Sequence, residues 1–90
     1  MARLTPNTYL ADLAEGLSVM AARLREARRM REGVAISRET VRIRRRLTRH
    51  DYDAHVPGLA LALCRLAVVL SASGDLRDAL ASAQESVDLY

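Results

Sequence analysis

The sequence predicts an all-α fold of about four helices, arranged as two antiparallel hairpins stacked side by side. Three observations lead there. Half of the 90 residues are hydrophobic, yet only three are aromatic, all tyrosine, so Leu, Val and Ala must fill the core. Leu and Ala favour helices, whereas strands favour β-branched and aromatic residues. Only four glycines and two prolines punctuate the chain. Finally, a shift of 46 residues lays the sequence on itself: Leu13 on Leu59, Ala14 on Ala60, Leu17 on Leu63, Ala21 on Ala67, Leu24 on Leu70, Ala35 on Ala81, Glu39 on Glu85 and Val41 on Val87. The register runs without a gap from Asn7/Asp53 to Arg44/Tyr90. Spacing that matches across two helices and the turn between them marks an internal repeat. One domain, 1–90, thus holds repeat one at about 6–49 and repeat two at about 52–90.

The elements follow in order. Thr5-Pro6 reads as an N-cap followed by proline at the first helical position, where a missing N–H does no harm. Leu10, Leu13, Leu17, Met20 and Leu24 then recur at threes and fours, the stripe of an amphipathic helix. A turn is expected around Ala27-Arg28-Arg29, and without a glycine it should be the less sharply defined of the two hairpin turns. The second helix carries two stripes, Met30–Val34–Ser37–Val41 and Ile36–Thr40–Ile43–Leu47, which implies packing on two sides. Asp51 or Asp53 can cap the third helix and places Pro57 in or near its first turn. Val56, Leu59, Leu63, Leu66 and Leu70 repeat the first stripe. Gly74 closes that helix and Asp75 can cap the fourth. Val56 to Ala72 is the most hydrophobic stretch, but it is short for a membrane span and carries Arg65 near its centre. A buried helix is expected there, with no membrane partner.

The formal charge of +3 is unevenly spread. Residues 1–50 hold twelve arginines against five acids, a balance of +7; residues 51–90 hold two arginines against six acids, a balance of −4. Opposite halves of this kind can steer an acidic partner or attract one another within or between chains. All fourteen basic residues are arginine, which fits a GC-rich bacterial coding sequence better than a need for guanidinium chemistry. Cys64 is the single cysteine and the N-terminus lacks a signal-peptide apolar core, so a reducing, cytoplasmic setting is expected.

Candidate chemistry is sparse. Arg38, Arg42, Arg45 and Arg49 share one helical face and could contact phosphates. No aromatic residues interleave for base stacking, and Gln84 and Asp88 replace Arg38 and Arg42 in the second copy. A solvated face partly paired with Glu39 and with Asp residues of the next repeat is the expected reading, and nucleic acid is not the expected partner. His50-Asp51-Tyr52-Asp53-Ala54-His55 has metal-ligand side chains but no defensible ligand spacing, and it falls where a helix junction needs capping carboxylates. Cys64 has no patterned His or Asp partner and is expected to be a small buried residue. Neither enzyme activity nor a cofactor or metal is expected.

The second copy resembles tetratricopeptide repeats, of the longer-period type seen in kinesin-light-chain-like and bacterial repeat proteins. Leu63, Leu66-Ala67 and Leu70 stand on the first helix of that copy, followed by Gly74-Asp75, then Ala79-Leu80, Ser86-Val87 and Leu89. Ala67, Ala79 and Ser86 fit the family's small crossing positions, as do Ala21, Gly33 and Thr40 in the first copy. The 46-residue period exceeds the family's usual 34, so the helices or the inter-repeat loop must be longer, and leucine or alanine stands where the family uses aromatics. The resemblance implies an α-solenoid fragment that binds a partner helix or peptide on its concave face, alone or within a larger scaffold or regulatory protein. Projected onto this chain, that face is Glu15, Ser18, Ala22 and Arg25 with Leu61, Cys64, Val68 and Ser71. The bland alternative is that Leu61, Cys64 and Val68 are core, packed on helix four or a second chain. With no lysine, and its one asparagine off that face, the chain does not suit the family's carboxylate-clamp mode. Two repeats without a polar cap leave apolar ends, so the expectation is a piece of a longer array, with self-association as the alternative.

Overall fold

Long helices, not long loops, account for the 46-residue period. A computed structural model describes residues 6–89 as α1 (Pro6–Glu26), α2 (Met30–His50), α3 (Tyr52–Ala72) and α4 (Leu76–Asp88), with no strand among the described residues. The first three helices are each 21 residues long, and Asp51 alone separates the two hairpins. Each helix packs on its neighbours in sequence. The proposed N-cap Thr5 and the terminal Tyr90 lie outside the described residues.

The two hairpin turns are the same device. At the end of α3, Gly74 adopts φ 87°, its N–H bonds Ser71 O at 3.1 Å, and Asp75 N–H reaches back to Leu70 O at 2.9 Å. At the end of α1, Arg28 takes φ 61°, its N–H bonds Arg25 O at 3.0 Å, and Arg29 N–H bonds Leu24 O at 2.8 Å. Both are Schellman closures, with the left-handed residue satisfying the last carbonyls of the helix. The first turn is therefore as sharply defined as the second, contrary to expectation; the backbone pattern overrides the missing glycine. The left-handed region costs a non-glycine residue about 1–2 kcal/mol. Arg28→Gly is thus expected to stabilise the fold by about 1 kcal/mol, raising Tm by roughly 4–8 °C. Thermal melting followed by circular dichroism checks this, and an unchanged or lower Tm would contradict it.

The later caps come from carboxylates. Asp51 accepts from Ala54 N at 3.2 Å, and Asp75 accepts from Asp78 N at 3.3 Å. Because Asp51 rather than Asp53 is the cap, α3 starts at Tyr52 and Pro57 lies in its second turn. That is just beyond the first turn, near it as expected. The exposed Asp53 carbonyl then lacks the N–H that residue 57 would otherwise supply.

α2 is packed on both sides, as its two stripes require. Val41 joins Leu59, Ala62, Leu63, Leu66, Leu70 and Ala79 in one cluster that ties α2, α3 and α4 together, with Val34 and Leu89 against it. Ile43 and Leu47 join Ala14 in a second cluster that docks α1, with Leu10, Ala11 and Leu17 packed around it. The buried Thr40 and Thr48 hydroxyls donate to the carbonyls of Ile36 and Arg44 one turn earlier, so neither is left unsatisfied. Ser86 Oγ donates to Ala60 O at 2.9 Å and holds α4 against α3.

The molecule measures 44 × 29 × 13 Å. α1 and α3 share a cleft floored by α2, and ion pairs join α2 to α4. Every helix therefore keeps a solvent-facing side, and Leu13 and Met20, expected within the buried stripe of α1, stand exposed because no helix lies beyond α1. α3 is the one described helix long and apolar enough to cross a membrane, and it is the central helix, packed between α2 and α4.

Candidate functional site: a groove between α1 and α3

Where α1 and α3 diverge above α2, they leave a cleft of about 320 Å³. Glu15, Ser18, Val19, Ala22 and Arg25 of α1 form one wall, and Ala62, Arg65 and Val69 of α3 form the other. Ser37 and Thr40 of α2 make the floor. Beneath it α1 and α3 converge on Gly33, where an added Cβ would sit 3.7 Å from Leu24 Cβ and 3.8 Å from Val69 Cγ1. That is ordinary contact, so the crossing accepts alanine as well as glycine, in keeping with Ala79 at the equivalent position.

The groove is electrically lopsided. Glu15 is reached by Arg44 Nη2 at 3.5 Å. The Arg44 side chain lies over Gly58, where a Cβ would come within 3.2 Å of its guanidinium. By contrast, neither Arg25 nor Arg65 has an acid in ion-pair range or a side-chain hydrogen bond among the described residues. Two unpaired guanidiniums on opposite walls of a half-apolar cleft make it attractive to carboxylates.

Glu15, Ser18 and Arg25, expected on the binding face, all line this groove. Leu61, Cys64 and Val68 do not, because the wall that α3 presents is one residue further on, at Ala62, Arg65 and Val69. In an array, one wall of a groove comes from one side of a helix and the opposite wall from the other side of the next. Projecting the same face onto α1 and α3 therefore misses one of them. Nor are Leu61, Cys64 and Val68 covered by α4: all three are exposed. Cys64, expected to be buried, stands open at the α3–α4 seam with its sulfur 3.2 Å from Ser86 Oγ. No helix lies beyond to enclose it.

The arginine face is largely spent on intramolecular pairs. Arg38 bridges to Asp78 at 3.0 Å, Arg42 to Glu39, and Arg45 makes a two-pronged bond to Glu85. Arg49 lines a shallower cleft with Arg42 and Arg46 beside Leu10 and Ile43. The Arg45 hydrogen bond holds the Glu85 carboxyl below the ordinary glutamate value, against a smaller opposing effect of burial. A carboxylate with a depressed folded-state pKa contributes stability above its unfolded pKa and loses it as pH falls through the folded value. Wild type should accordingly lose stability through the acid carboxylate range more steeply than Glu85→Gln. The pair is partly exposed, so the variant should differ at neutral pH by under about 1 kcal/mol. Urea melts at a series of pH values measure it; parallel profiles for the two proteins would contradict the pairing.

Among the described residues no group of three or more His, Cys, Asp and Glu side chains is placed to hold a metal ion. Asp51 is occupied in capping α3, and Tyr52 OH donates to Leu89 O at 3.1 Å. No protein-family model, curated protein or solved structure matches the chain.

Proposed function

We propose that the chain is a protein-interaction module of tetratricopeptide-like helical repeats, acting alone or within a larger cytoplasmic scaffold or regulatory protein. It receives a partner helix or peptide in the groove between α1 and α3. The observation that supports this most is the groove itself: two helix walls over a floor of small polar residues, with no partner for Arg25 or Arg65 among the described residues. Its chemistry fits a segment with small apolar residues against Ala22, Ala62 and Val69 and carboxylates toward the two arginines. The lone cysteine accords with a reducing compartment.

A displayed random-peptide library selected against the chain tests this reading. Selected peptides should be acidic, and Ala22→Arg or Arg65→Glu should weaken their binding at least tenfold with helicity unchanged. Peptides whose affinity ignores both substitutions would overturn it. The rival reading, an arginine-rich nucleic-acid accessory, has less support because Arg38, Arg42 and Arg45 are already paired. Binding to arbitrary duplex DNA that weakens steeply with added salt would favour that rival instead.

A further inference from the structure

The two ends of the stack expose apolar faces that are repeat-equivalents of faces already packed on each other inside the chain. Val41 of α2 is 5 % exposed, covered by α3; its equivalent Val87 on α4 is 69 % exposed. Leu80, the equivalent of the half-buried Val34, is 71 % exposed. The covering face shows the converse. Leu59 and Leu66 of α3 are 3 % and 4 % exposed, whereas Leu13 and Met20 on α1 are 39 % and 49 % exposed. Gly16 stands where α3 has Ala62 and has nothing near its absent Cβ. α4 thus offers the surface of the first part of α2, up to the equivalent of Arg42, and α1 offers the surface with which α3 covers it.

We infer that the occupant of the α4 face is a second copy of this chain, with α1 of one molecule seated on α4 and α3 of the next, head to tail. The internal α2–α3 packing is the template for the contact. Charge complementarity at this contact is local: α1 carries Arg23 and Arg25 against Asp12, Glu15 and Glu26, most of the positive excess of residues 1–50 lying on α2. At the one covering position that is not small or apolar, Arg23 replaces Val69. In the packed copy Val69 lies against Gly33, so Arg23 of the second copy arrives at Ala79, beside Asp75 and Asp78. Such a contact is heterologous and leaves a free end on each molecule, so it propagates instead of closing. It also builds a new groove at every junction. Leu61, Cys64 and Val68 are equivalent to Glu15, Ser18 and Ala22, so they form the wall of a second groove opposite α1 of the added copy.

Light scattering after size exclusion, over a wide range of concentration, tests this. The mass of the wild-type chain should climb with concentration past that of a dimer. Met20→Glu removes one end and Leu80→Glu the other, so each alone should be a helical monomer. Mixed in equal amounts they should form a dimer and nothing larger, because each retains one competent end. A wild-type chain that stays monomeric at millimolar concentration would overturn the inference. So would a mass that stops at the dimer, or a mixture that remains monomeric. If either variant loses helicity by circular dichroism, Leu13→Lys with Val87→Lys repeats the mixing test on the same two faces. Ala22→Arg should leave self-association unchanged, which separates this surface from the peptide groove.

Discussion

Leu63→Ala is expected to destabilise the fold by about 3 kcal/mol. Leu63 is 1 % exposed and belongs to the cluster that includes Val41 of α2, Leu59 and Leu66 of α3, and Ala79 of α4. Removing its branched end leaves a void shared by three helices, none of which can collapse inward without dragging the other two. A domain of this size has only about 5–10 kcal/mol in hand, so Tm should fall by more than about 10 °C. Because the cluster spans both hairpins, the melt should remain a single transition. The same truncation at Leu13, the exposed counterpart of Leu59, should cost under about 1 kcal/mol. Denaturant melts of the two variants decide the matter, and equal losses would mean that the ends of the stack are as well covered as its middle.

Leu47→Ala should produce the second large effect, and a local one. Leu47 is fully buried against Ala14 and Ile43, in the smaller cluster that docks α1. α1 packs principally on α2, so this cluster is its main attachment. The expected cost of about 2–4 kcal/mol should appear first as faster amide exchange along α1, with α3 still protected. Leu47 does not line the groove, yet its loss should weaken peptide binding because α1 is one wall. Equal acceleration of exchange in α1 and α3 would contradict a separately docked first helix.

These two experiments touch what the sequence makes most legible. Apolar stripes at threes and fours identify the inward sides of α2 and α3, and the double stripe on α2 correctly implies two neighbours. The 46-residue register also aligns Arg28 with Gly74, so the equality of the two turns was present in the numbering, though hidden by residue type. A stripe shows which side of a helix is apolar without showing whether a neighbour covers it, and the stripe of α1 therefore includes Leu13 and Met20, which stand exposed. The bridges from Arg38 to Asp78 and from Arg45 to Glu85 join residues 40 apart, a separation set by the packing of both α2 and α4 on α3 and by no local rule. Helix registry decided the groove as well: a one-residue difference on α3 exchanges Leu61, Cys64 and Val68 for Ala62, Arg65 and Val69. Ser37 and Thr40 form the floor, and small polar side chains inside apolar stripes carry no functional signature of their own.

The most direct test of the central claim is an amide chemical-shift map of the isotope-labelled chain, titrated with an acidic peptide selected against it. Self-association is suppressed for this purpose by Leu80→Glu. The largest shifts should fall at Ser18, Ala22 and Arg25 on α1 and at Ala62, Arg65 and Val69 on α3, with Thr40 beneath them. Shifts confined to α4, or to Arg42, Arg46 and Arg49, would contradict it.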